Sequence, residues 1–173
     1  MIRATGCMLV LLSCGLGCLK LHIQMEDNFR EWCLFQGVLL EIRRNNNQAC
    51  AVMAALMKEA LKSMPQDSVV AKATVICEKR LTERCMPMEW IWEQYIDMIQ
   101  RKVHLPTALL IQVKRLGSVL SHKDSETIER YLGGVLSLLS EEIEERSKNM
   151  KTRDVVRSSL CAMTGIMTIL LLI

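Results

Sequence analysis

Hydrophobic residues recur every three or four positions along most of the chain, which is the spacing of one face of an α-helix. Polar or proline-containing segments bound each stripe, so the stripes predict separate helices. No window alternates between apolar and polar residues for long enough to predict a strand. The fold class is therefore predicted to be all-α, a bundle of about five to six helices. The stripes consist of Trp32, Phe35, Leu39 and Ile42; Met53, Leu56, Ala60 and Met64; Val70, Ala73, Cys77 and Leu81; Trp92, Ile96, Ile99 and Val103; Leu109, Val113, Leu116 and Leu120; and Ile128, Leu132, Val135, Leu139 and Ile143.

Proline and capping residues predict where several of these helices begin and end. Pro106 is expected to end or kink the helix before it, because proline cannot donate a backbone hydrogen bond and clashes with the preceding turn. Asp67 or Ser68 is expected to cap the third helix, and Asp124 or Ser125 the helix that starts near Ile128.

The N-terminal residues have the layout of a secretory signal peptide. Arg3 precedes an apolar stretch, and Gly15 and Gly17 stand where cleavage requires small residues. Residues 1–17 are thus predicted to be removed, leaving residues 18–173 as a single helical bundle domain. A buried N-terminal helix or a short membrane anchor is the alternative. In an oxidising compartment the remaining cysteines are disulfide candidates, in pairings that sequence alone leaves open: Cys18, Cys33, Cys50, Cys77, Cys85 and Cys161.

The chain ends in an apolar segment after a charged connection at 146–152. Residues 160–173 are strongly apolar, but a membrane-spanning helix needs about 20 such residues, and shorter runs are more typical of a buried core helix. The segment is therefore predicted to be a last bundle helix, with a membrane anchor as the alternative. Its core-facing stripe is predicted to be Val156, Leu160, Met163, Met167 and Leu170.

Few side chains are spaced for chemistry. His22, His104 and His122 stand in different segments, and no pair of histidines or cysteines has the spacing of a metal site. There is no glycine-rich phosphate loop and no nucleophile motif. The glutamates at 141–145 project around one helix and predict a solvated face. The sequence therefore predicts a protein that is not an enzyme, holds no metal or cofactor, and binds through a helical surface.

The charge distribution narrows the class of partner. The net charge is +3, and the lysines and arginines are scattered along the chain. A nucleic-acid-binding surface normally gathers its cations into a stripe or patch. No nucleic-acid partner is expected.

The stripe over residues 109–120, with its Gly117, resembles the BH3 helix of Bcl-2-family proteins, which binds in an apolar groove. Ser118 stands where such helices carry an acidic residue. An ordinary core helix is the favoured interpretation of this stripe.

Two segments nearer the C-terminus resemble the type I interferons. Arg130, Tyr131 and Leu132 follow a pattern of that family's penultimate helix. Residues 152–157 are similar to its last helix in an acidic residue, a pair of valines and an arginine. The order of elements also agrees: a signal peptide, a long first helix, a tryptophan-bearing middle helix and two closing helices.

The resemblance implies a secreted helical cytokine that bridges the two chains of a class II cytokine receptor at the cell surface and induces antiviral signalling. It also implies receptor contacts at Arg157, Ser158 and Cys161 on the last helix. No stable membrane insertion is expected of such a protein. The alternative is an intracellular apoptosis regulator of Bcl-2-like type, anchored in a membrane through its C-terminal tail.

Overall fold

The computed structural model describes residues 2–45, 49–83, 86–122 and 124–172. Side chains are described from Met25 to Met150, apart from residues 46–52, 84, 85, 122 and 123, and at a few positions nearer either end. Within these residues the chain forms six α-helices and no strand, which confirms the predicted all-α fold. The helices are α1 (Ile2–Arg44), α2 (Ala49–Lys62), α3 (Val69–Glu83), α4 (Met88–Val103), α5 (Thr107–His122) and α6 (Ser125–Leu172).

The helices divide into two compact units. The helical body comprises Asn28–Ile143, and it holds α2 to α5 entire together with the adjoining parts of α1 and α6. The terminal unit comprises Met1–Asp27 and Glu144–Ile173, the outer parts of the two long helices.

The predicted apolar stripes form one core in the helical body. All their members between residues 32 and 139 are buried, apart from two that are half-buried. Near its centre the ring of Tyr95 lies 5.3 Å from that of Trp92 and 6.5 Å from that of Phe35, centroid to centroid. The stripe predictions are confirmed here because burying one face is what stabilises helices of this length.

A buried carboxylate on α1 holds the start of α3. Both oxygens of Glu31 accept backbone hydrogen bonds, one from Val69 and one from Val70, each at 2.9 Å. Ser68 Oγ accepts a third, from the backbone N–H of Ala71 at 2.8 Å, so the serine is the one of the two predicted caps that binds this end. These bonds satisfy N–H groups that have no partner within the helix.

A tight turn joins α4 to α5. His104 adopts the left-handed conformation (φ 51°, ψ 61°) just after α4 ends at Val103. The Gln100 side chain binds both backbone groups of Leu105: it donates to the carbonyl at 3.1 Å and accepts from the N–H at 2.8 Å. Pro106 follows and α5 begins after it, which confirms the predicted helix end.

An indole packs directly on the backbone of α5. Trp92 Nε1 donates to the Val113 carbonyl at 2.7 Å. A Cβ added at Gly117 would lie 2.9 Å from Trp92 Cδ1. Because Leu116 and Leu120 on this helix are also buried, α5 is a core helix, as the favoured interpretation of its stripe predicts.

The two long helices run through positions where the sequence predicts boundaries. Helix α6 continues across residues 146–152, so the predicted charged connection is wrong. That segment contains no glycine or proline, and Lys148 pairs with Glu144 one turn earlier at 2.7 Å, a pairing that supports a helix. Helix α1 contains the whole of the predicted leader from Ile2 onward, and cleavage after residue 17 stays a prediction.

The predicted core-facing stripe of the last helix is wrong at the two members whose side chains are described. Val156 is 52% exposed and Met163 is 66% exposed. Periodicity shows which residues share a face, but it does not show whether another element covers that face. Among the described residues, no helix has a stretch of the length and hydrophobicity needed to cross a membrane.

Candidate functional site

A groove between α1 and α2 in the helical body is the candidate site. Its volume is about 370 Å³. The lining combines aliphatic, small and charged side chains: Cys33, Leu34, Gly37, Glu41 and Arg44 from α1, Glu59, Ala60 and Lys62 from α2, and Ser63 and Met64 from the turn that follows α2.

The groove is open because α1 carries no side chain at Gly37. A Cβ added there would meet no atom within 4 Å. Leu34 and Met64 are half-buried and pack against the core, so the inner part of the groove is apolar. The site therefore has room for an apolar side chain of a partner above a hydrophobic base.

Three of the four charged groups in the lining bind neighbouring side chains. Lys62 Nζ lies 2.6 Å from Glu59 Oε2, and the Asn45 amide donates to Glu41 Oε1 at 2.7 Å. Both are pairs between neighbouring side chains at the surface of the helical body.

The groove contains one thiol, that of Cys33. Partial burial raises its pKa above the ordinary value, so the thiol is protonated at neutral pH. The thiolate is the reactive form of cysteine, and a raised pKa makes it scarce. The groove thus combines an apolar base, a charged rim and a thiol that is protonated at neutral pH.

Polar groups buried deeper in the helical body serve the packing. Thr74 Oγ1 donates to the Val70 carbonyl at 2.7 Å and lies 3.2 Å from the Tyr95 hydroxyl. Burial raises the pKa of the Cys77 thiol to about 12, and the nearby Arg80 only partly opposes this. A thiol so far from ionisation is chemically inert.

The histidines form no joint site within the described part of the chain. His104 is exposed in the turn after α4, and the side chains of His22 and His122 lie outside the described residues. Among the described residues, no group of three or more His, Cys, Asp and Glu side chains could hold a metal ion.

The residues predicted for receptor contact lie on α6 in the terminal unit. The side chains of Arg157, Ser158 and Cys161 fall outside the described residues, so the structure brings them to no described site.

Two of the disulfide candidates can be placed. Cys33 and Cys77 are free thiols, the first exposed and the second buried. Pairing among the others stays a prediction, because the side chains of four lie outside the described residues: Cys18, Cys50, Cys85 and Cys161.

Sequence reasoning missed the groove. Its one local signal is Gly37, the single glycine in the part of α1 that belongs to the helical body, residues 28–44. A glycine in a helix equally well marks a close approach, as at Gly117, and only the packing of α2 distinguishes the two cases.

Comparison with known proteins gives one family. Residues 3–173 match the sequence profile of a family described as stage III sporulation protein AB. No curated protein and no solved structure matches the chain.

This match overturns the functional predictions. The resemblance to type I interferons is wrong, and so are the antiviral cytokine function and the cell-surface cytokine receptor as partner, because the matched family is one of bacterial sporulation. Secretion is wrong for the same reason, as is the alternative of a tail-anchored regulator of Bcl-2-like type. The resemblance rested on a few residues in two short helical segments, and so loose a match does not identify a function.

Proposed function

The chain belongs to the family of stage III sporulation protein AB, and we propose from this premise that it acts in stage III of bacterial sporulation as a non-catalytic helical binding protein. The observation that carries the proposal is the extent of the match, residues 3–173. The match includes the helical body and both segments of the terminal unit, so it does not rest on one short shared segment.

The non-catalytic part of the proposal is supported by the chemistry of the groove between α1 and α2. Its thiol has a raised pKa, and its rim carboxylates Glu41 and Glu59 bind neighbouring side chains. A partner that inserts an apolar side chain above Gly37 would bury Leu34 and Met64 further. Burial of apolar surface provides the main free energy of such contacts.

Deleting the gene in the spore-forming bacterium that encodes this chain tests the role in sporulation. We expect normal vegetative growth, a fall in heat-resistant spores to the level of a non-sporulating control, and cells that stop at stage III under the microscope. The intact gene supplied at a second locus should restore the spores. Unchanged spore counts in the deletion strain would contradict the proposal.

Two substitutions at one position test the groove. Gly37→Trp places an indole in the groove, where nothing lies within 4 Å of the new Cβ. We expect it to lower the heat-resistant spore count while the chain stays folded in thermal unfolding. Gly37→Ala is the matched control, because it changes the backbone in the same way but leaves the groove open. Equal spore counts from both variants would remove the groove from the proposal.

A further inference from the structure

One face of α3 is turned to solvent although half of it is apolar. Lys72, Val75, Ile76 and Lys79 are all exposed, Val75 by 51% and Ile76 by 40%. Their spacing of three, one and three residues places them on one side of the helix. The opposite side of α3, which includes Cys77, is buried in the core.

A second groove of the helical body, between α2 and α3, adjoins this face. Its volume is about 310 Å³, and Leu61, Met64 and Val75 contribute apolar side chains to its lining. Lys72 also lines it. Within the described part of the chain, no ion-pair partner of Lys72 is found. The α3 face is therefore an apolar surface that carries an unneutralised cation.

A face of α6 in the same unit has the matching features. Gly134, Ser137, Leu138 and Glu141 are all exposed, and they too are spaced three, one and three residues apart. Leu138 is 40% exposed. Glu141 has no ion-pair partner among the described residues. This α6 face therefore combines an exposed apolar side chain with an unneutralised carboxylate.

We propose that these two faces bind each other between two copies of the chain, with α3 of one copy antiparallel to α6 of the next. In this register Lys72 stands opposite Glu141, and Val75 opposite Leu138. The cation and the carboxylate, each without an ion-pair partner among the described residues of its own chain, find one in the second copy. The two apolar side chains are covered in the same contact.

The rest of the register is compatible with close approach. Ile76 stands opposite Ser137, and the stem of Lys79 opposite Gly134. A Cβ at Gly134 would meet nothing within 4 Å, so the backbone of α6 is open to a neighbouring helix at that end. Small residues permit two helices to come near each other.

The pairing is head to tail, because the two faces belong to different helices. Each copy that joins leaves one α3 face and one α6 face available, so the contact can repeat along a chain of copies or close into a ring. The paired segments span eight residues, about 10 Å along each helix. Stable dimers bury roughly 1,200–2,000 Å², which is more than one such contact provides. The association is therefore weak and becomes substantial when the protein is concentrated.

Sedimentation of the purified full chain tests the proposal. Between about 10 μM and about 1 mM, the range in which small interfaces associate, the average mass should rise with concentration. Lys72→Glu and Glu141→Lys should each weaken association roughly tenfold, because each places like charges opposite one another. The double variant carrying both changes should recover the affinity, since the pair is re-formed with its signs exchanged.

Control variants show whether a change in association comes from the proposed contact or from the altered net charge. Lys58→Glu makes the same change of net charge at an exposed site on α2 outside both faces, and it should leave association unchanged. Circular dichroism should show the helix content of the unmodified chain in every variant. A chain that remains monomeric throughout would overturn the proposal. Association that Lys72→Glu does not weaken would also overturn the proposal, and so would a double variant whose association stays weak. If Leu19→Asp abolished association in either case, the contact would lie in the terminal unit instead.

Discussion

Gly117 and Gly37 both lie within helices, but their surroundings differ, because a tryptophan packs against the first and nothing packs against the second. Gly117 lies against Trp92, whose indole is buried and bound to the Val113 carbonyl at 2.7 Å. Gly37 faces the open groove, with nothing within 4 Å of the position that a Cβ would occupy. The first glycine permits a close approach, and the second leaves a space.

Alanine at the two glycines should therefore change stability in opposite directions. Gly117→Ala brings a methyl group to 2.9 Å from Trp92 Cδ1 and 3.0 Å from its Cβ. Overpacking of this kind costs about 1–3 kcal/mol and exceeds the gain of up to about 1 kcal/mol in helix propensity. Gly37→Ala has the same gain in helix propensity without a clash, so it should raise the free energy of unfolding by about 0.5–1 kcal/mol.

Urea unfolding followed by circular dichroism measures both variants. The midpoint should fall for Gly117→Ala and rise for Gly37→Ala, with unchanged slopes. A Gly117→Ala midpoint equal to or above that of the unmodified chain would show that Trp92 can move aside. The double variant should be additive, because the two sites share no partner.

At the scale of the element, helix ends in this protein are held by carboxylates of two kinds. Glu31 binds the start of α3 from another helix, and its partners Val69 and Val70 lie 38 and 39 residues away. Asp124 binds the start of its own helix: Oδ2 accepts from the Thr127 N–H at 3.1 Å. Asp124 is one of the two residues that the sequence predicts as the cap of this helix. No local sequence signal predicts the role of Glu31.

The Asp124 cap should stabilise the protein in a pH-dependent way. Hydrogen bonds from the side chain and backbone of Thr127 lower the pKa of Asp124. The group binds its proton more weakly when folded, so its stabilisation is present above the pKa of the unfolded chain and is lost as pH falls through the folded pKa. Asp124→Ala should therefore lower Tm at pH 7, and the difference from the unmodified chain should shrink at pH 3 and below.

Thermal unfolding from about pH 7 to about pH 2.5, which spans the carboxyl range, measures this difference. Glu145→Ala is the matched control, because that carboxylate is exposed and stands well inside α6. It should give a small Tm change without the same dependence on pH. A constant Asp124→Ala difference across the range would exclude the charged cap.

At the scale of the whole molecule, every described residue that is buried lies between Glu31 and Leu139. The helical body therefore contains its own core. A fragment of residues 28–143 should fold alone and unfold in one cooperative transition, with a Tm near that of the corresponding transition in the full chain. Differential scanning calorimetry of the fragment measures this. A broad transition without an enthalpy peak would show that the body needs the terminal unit.

Function was the property that the sequence pattern predicted worst. The interferon resemblance used residues such as Arg130 and Tyr131, and Tyr131 in fact packs on α5, donating from its hydroxyl to the Gln112 carbonyl at 2.9 Å. A residue of this kind is explained by packing in many helical families. Helical architecture is compatible with many functions, so a loose match within it does not identify one.

The sequence by itself determined the helices of the body and their buried faces. Apolar spacing placed Trp32, Trp92 and Val113 in the core, and Pro106 placed a helix end, because these depend on local geometry and on the need of each helix to bury one side. The tertiary structure alone decided which helices continue through charged segments, as α6 does, and which faces are covered. It also decided that Gly117 lies against a side chain of another helix whereas Gly37 faces open space. That difference depends on residues of other helices, which are distant in sequence.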